Sequence, residues 1–150
     1  MPRGSGSSPS AGDAGHPTDE EAARRARTAY SRRGIPAIEP DAAVAPMIGA
    51  EERVLGMRAQ AQLGRVDARA GGIDLDGGTL YVTSQRLIHL GSRLTSIRLA
   101  DIREMAMADR RLLVTLADAG GVTVDADEPH QLRVLVAAAR SALLSAARVG

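Results

Sequence analysis

The chain predicts a mainly β domain with α-helical ends: seven antiparallel strands in a barrel or sandwich, capped by a C-terminal amphipathic helix. A short N-terminal helix and a disordered tail precede it. Three observations carry this fold class. Six of the seven prolines lie before residue 47 and the seventh is Pro129, so Met47 to Glu128 lacks the residue that central strands exclude. Within that stretch Val, Ile, Leu and Thr fall in short runs of period two, separated by turn residues. After it the apolar period lengthens to three and four, as on one helix face.

Residues 1–17 combine Gly, Ser, Pro and Ala with almost no apolar bulk. They cannot offset an ordering cost of roughly 1–2 kcal/mol per residue and read as disordered. Residues 18–46 read as a short helix and linker. Thr18 and Glu21 have capping-box spacing, and Asp19, Glu20 and Glu21 at the start with Arg32 and Arg33 at the end suit the helix dipole. Gly34 and Pro36 stop the helix. Its apolar face is thin, limited to Ala22, Ala26, Ala29 and Tyr30, and residues 34–46 continue as an extended linker.

Residues 47–150 form the domain. Arg53–Ala61 is the first strand, and the glycine-bearing stretch Gln62–Gly78 is a long connection. Thr79–Thr83 and Arg86–Leu90 form a hairpin about Ser84-Gln85. Leu80 and Val82 share one face of the first arm, and Ile88 and Leu90 one face of the second, with Leu87 and His89 opposite. Leu94–Leu99, Ile102–Met107, Leu112–Leu116 and a short strand at Val122 and Val124 complete the seven. Leu80, Val82, Ile88, Leu112, Val114 and Leu135 are expected in one core. In the final helix Asp127 is the expected N-cap and Pro129 sits in the first turn. Leu132, Leu135, Val136, Ala139, Leu143 and Ala146 make its apolar face.

Composition excludes several functions. Cysteine is absent, which removes disulfides, thiolate metal sites and thiol nucleophiles. All 19 cations are Arg, and Lys, Asn, Phe and Trp are missing, a bias that a GC-rich bacterial genome explains without selection for phosphate binding. The net charge of +1 creates no strong attraction for nucleic acid, and two tyrosines, Tyr30 and Tyr81, make no base-stacking platform. No apolar run reaches the roughly 20 residues of a membrane-spanning helix, and the start lacks a secretory apolar core. The cytoplasm is the expected compartment.

The run Gly78-Thr-Leu-Tyr-Val-Thr-Ser-Gln-Arg-Leu-Ile-His-Leu-Gly91 resembles the second and third strands of GRAM-type and bacterial pleckstrin-homology-like domains, which carry a G-x-L-y-h-T-x-x-R-L hairpin. Ser96-Ile-Arg-Leu-Ala-Asp-Ile102 is similar to the next element of that family, and Glu51-Glu-Arg-Val-Leu55 to its opening strand. The similarity covers about two thirds of the chain, residues 48–147, and is greatest to small actinobacterial proteins of unassigned function. It implies the pleckstrin-homology (PH) superfold and a binding role. Many members bind phosphoinositides through basic residues around the first inter-strand loop. Here that loop holds Arg65 and Arg69 beside Asp67, Asp74 and Asp76, without the family's Arg-x-Arg.

Candidate chemistry is sparse. Thr83 and Arg86 read as structural: the Thr hydroxyl can bond the turn backbone, and Arg86 can lay its stem on apolar surface. His16, His89 and His130 have no metal-ligand spacing. Asp74-Leu-Asp-Gly-Gly78 lacks the later carboxylate of a calcium loop. No phosphate loop or G-x-S-x-G elbow occurs, and no carboxylates are spaced as an acid–base pair. The expectation is a non-catalytic module without cofactor or metal that binds a protein partner through Gln62–Gly78, with Arg65 and Arg69, and the N-terminal arm. The alternative is peripheral contact with anionic lipid at the inner membrane face.

Overall fold

The computed structural model describes residues 17–66, 72–118 and 120–149. Helix α1 spans Asp19–Arg33. The Thr18 hydroxyl accepts from the Glu21 N–H at 3.1 Å, and the Glu21 carboxylate accepts from the Thr18 N–H at 3.0 Å, the reciprocal pairing its spacing predicts. Gly34 ends the helix at φ +76°, in the half of backbone space open to glycine. The tail expected at residues 1–17 lies, but for Pro17, outside the described residues.

The stretch expected as a free linker is packed. Ile38 donates its N–H to the Val54 carbonyl at 2.8 Å, and Asp41 accepts from the N–H groups of Ala43 and Val44 and from the Tyr81 hydroxyl. Val44, just before a short 3-10 turn at Ala45–Met47, is fully buried. It joins Val54, Tyr81 and Ile88 in a small apolar cluster on the outer side of the sheet, flanked by Met47, Ile48 and Leu90.

The strands are β1 (Val54–Val66), β2 (Ile73–Thr83), β3 (Arg86–Leu90), β4 (Leu94–Arg98), β5 (Ile102–Ala108), β6 (Arg111–Leu116) and β7 (Gly121–Asp125). They form one antiparallel sheet in the order β4-β3-β2-β1-β7-β6-β5, with β4 and β5 as its end strands. The sheet does not close into a barrel. It wraps a single core in which Leu87 and Ile97 from one end meet Leu112 and Val114 from the other. Helix α2, Pro129–Val149, lays Leu132, Leu135, Val136 and Ala139 on that core. This order with a C-terminal helix is compatible with a PH-like fold.

Three sequence expectations need correction. Gln62–Gly78 is not a long connection: β1 and β2 stay paired from Gln62↔Gly77 to Val66↔Ile73. His89 does not face outward but is 2% exposed on the core side, cross-strand from Leu80 and Thr95, and its Nε2–H donates to the Ala61 carbonyl at 2.9 Å. Ile88 therefore belongs to the outer cluster, not to the core with Leu80 and Val82. For His89 and Ile88 the cause is shared. Residues 38–48 cover the outer side of β3, so both its faces are buried and alternation no longer marks the inside.

The N-terminus of α2 is also capped otherwise than expected. The carboxylate that serves it is Asp19, not Asp127: Asp19 accepts from the His130 N–H at 2.7 Å and the Gln131 N–H at 3.1 Å. These donors lack intrahelical partners, and an acid there also suits the helix dipole. Asp19 thereby fixes α1 against α2.

Candidate functional site

The residues singled out in the sequence lie at opposite ends of the β1–β2 hairpin. At the β2–β3 turn, the Thr83 hydroxyl accepts from the N–H groups of Gln85 and Arg86 at 3.0 and 2.9 Å, and donates to Glu52 Oε2 at 2.6 Å. Arg86 Nε donates to the same oxygen at 2.9 Å, while its Nη2 reaches the Met47 carbonyl at 2.7 Å and Glu52 Oε1 at 3.2 Å. The Glu52 side chain is 2% exposed and that of Arg86 26%. Burial pushes the Glu52 carboxyl up, but hydrogen bonds from Arg86, Thr83 and the Gly49 N–H outweigh it and hold the group below the usual carboxylate range. The polar side-chain atoms of this knot each have a partner within the protein, so it fastens the segment before β1 to the hairpin.

At the other end, Arg65 is exposed and its Nη2 lies 3.4 Å from the Thr95 hydroxyl. Arg69 and Asp67 lie outside the described residues. Around Arg65 the cations are matched by acids. Arg93 pairs with Asp74, and Asp76 accepts from the N–H groups of Ser92 and Arg93 and from the Ser92 hydroxyl. The Ser92 N–H is the largest influence holding the Asp76 carboxyl below its ordinary range. This rim carries charge of both signs.

The sequence reading missed a third region. A cleft of about 900 Å³ lies beside α1, α2 and the start of β1. Its apolar lining comes from Tyr30, Ile35, Leu55, Met105, Val134 and Leu143. Arg27, Arg53 and Arg133 also line it, all exposed, with Glu51 as the acid among its lining residues. None of the three arginines forms an ion pair among the described residues. Arg24, Arg25, Arg32 and Arg33 are also exposed on α1, outside the cleft lining. The one sequence signal was this arginine run on α1. The cleft itself depends on how α1 docks, which a residue-by-residue period cannot show.

Among the described residues no three His, Asp or Glu side chains converge to hold a metal ion, and no helix is long and apolar enough to cross a membrane. His130 Nδ1 lies 3.0 Å from Asp19 at the helix cap, and His89 is enclosed in the core. The cleft is lined by neither histidine. No protein-family model matches the sequence, and no curated protein matches it.

Proposed function

We propose that the chain is a non-catalytic PH/GRAM-like module that binds a protein partner in the cleft beside α1 and α2. Strand order, the terminal helix and the Gly78–Leu87 hairpin support the PH-like reading, while the likeness to small actinobacterial proteins rests on the sequence alone. The cleft carries the functional reading: Tyr30, Ile35, Met105 and Leu143 are only partly covered by the fold, and apolar surface of this kind gains roughly 25 cal/mol per Å² when a partner removes it from water. Arg65, a candidate on its sequence position, stands at the far end of β1 from this cleft and is outside its lining.

The rim around Arg65 speaks against the anionic-lipid alternative. Each cation near an anionic surface contributes about 1 kcal/mol, and Asp74 and Asp76 oppose that attraction. Ala142 is exposed and lines the cleft, so Ala142→Trp fills it without touching the core. A partner retained by the parent chain at physiological salt and lost by Ala142→Trp supports the reading. Retention by both, or salt-resistant co-sedimentation with anionic vesicles that Arg65→Ala abolishes, sinks it.

A further inference from the structure

Resting on that reading, we infer that the occupant of the cleft is an acidic amphipathic helix of the partner protein. Two observations choose the helix. The long walls are themselves helices, whose backbone groups away from the helix ends are paired internally. At the floor the Arg53 N–H is taken by the Ser84 hydroxyl at 3.0 Å and the Arg53 carbonyl by the Ser84 N–H at 2.8 Å. Along the helical walls and at Arg53 an extended segment would find no backbone ladder to join, only side chains such as Ser31, Ser141 and Ser145, whereas a helix satisfies its own donors and acceptors. The α2 wall from Arg133 to Ala146 runs about 20 Å, room for some three to four turns.

Charge chooses the acid. Arg27, Arg53 and Arg133 reach the cleft without ion-pair partners among the described residues, and α1 adds further exposed arginines. A carboxylate-bearing helix face meets these cations while its apolar stripe covers the partly exposed Tyr30, Ile35 and Leu143. A nucleic-acid backbone offers the charge but has nothing to lay on an apolar floor. A bilayer surface cannot enter a concavity of this size.

The test uses the full chain and three labelled synthetic peptides, read by fluorescence anisotropy. The first places Glu opposite a Leu stripe at helical spacing. The second replaces every Glu by Gln, and the third keeps the acids but carries a central Pro that breaks the helix. The acidic helix should bind about tenfold more tightly than either twin, since exposed charge pairs each contribute modestly and three act together. An Arg27→Gln/Arg53→Gln/Arg133→Gln variant, with an unchanged melting curve, should lose about the same factor. Equal binding of the Gln twin, still blocked by Ala142→Trp, would overturn the acidic occupant and leave the protein-binding cleft standing. Equal binding of the Pro twin would overturn the helix. Failure of the acidic helix to bind, or tighter binding of a duplex oligonucleotide that the triple variant loses, would overturn the inference outright. The separate partner-retention comparison then decides whether the broader reading survives.

Discussion

Glu52 is a carboxylate placed out of water and held ionised by three donors. Its charge is matched by Arg86 across a 2.9 Å contact, and the remaining oxygen valences go to Thr83 and Gly49. Glu52→Gln keeps the shape and removes the charge, leaving Arg86 partly buried without its counterion. Stability should fall by about 3 kcal/mol, near the lower end for a broken buried pair because Arg86 is partly solvated. In a chain of this size that lowers the melting temperature by roughly 6–12 °C. The pH dependence has a definite sign. The folded carboxyl is depressed from its ordinary 4.5, so its contribution is fully present above that value and is lost as pH falls through the folded one. Glu52→Gln should therefore flatten the loss of stability between neutral and acid pH in a series of thermal melts. Equal slopes would show that the knot does not stabilise the fold. Tyr81 gives the mirror case. Burial, then its hydrogen bond to Asp41, pushes the phenol up to about 12. Its contribution is complete below the ordinary 10.0 and is lost as pH rises to about 12. Followed by tyrosinate absorbance in a Tyr30→Phe background, Tyr81 should ionise near 12, and Asp41→Ala should bring that transition down in pH. An unchanged transition would mean that Asp41 does not hold the phenol.

Between elements, the joint with the clearest handle is α1 on α2. Asp19→Ala removes the acceptor for the His130 and Gln131 N–H groups and should cost about 1 kcal/mol, as lost N-caps do. It should also raise amide exchange along α1 while leaving β1 protected. Unchanged α1 exchange would assign its docking to other contacts. What the sequence revealed at this scale follows contact range. The α1 cap was legible because Thr18 and Glu21 lie three residues apart, and α2 because its apolar face repeats within the helix. The carboxylate on α2 was not, since Asp19 precedes His130 by 111 residues. The outer ends of β1 and β2 were lost for another reason. There Gly64, Asp74, Asp76 and Gly77 dilute the alternation, and the pairing is held by backbone bonds that any side chain permits. Thr83 and Arg86 were legible as a motif, while their shared partner Glu52 was hidden in a segment read as the approach to β1. The cleft was least legible, because its lining is gathered from α1, the start of β1, the β2–β3 turn, β5 and α2.

At the scale of the whole molecule, one core spans an open sheet, and side-chain parity decides what survives. Val114 is 2% exposed within that core, and its neighbour Thr115 faces solvent. Val114→Asp buries a charge without a partner and should cost several kcal/mol in urea unfolding, whereas Thr115→Asp should stay within about 0.5 kcal/mol of the parent. The larger loss falling on Thr115→Asp would mean that β6 has the opposite phase. The same architecture brings the beginning of the described chain to its end: α1 lies on the last helix, and Asp19 completes that helix's first turn. On a translating ribosome this sets an order. Asp19 is made 111 residues before His130, and at roughly 5–20 residues per second its donors follow some 6–22 s later. Throughout that interval α1, too poor in apolar residues to hold itself together, has no surface to rest on. The arginines that line the finished cleft are then carried on a loose cationic segment, open to any anionic neighbour near the exit tunnel. Synthesis of α2 ends that exposure, so the cleft is among the last features of the fold to come into being.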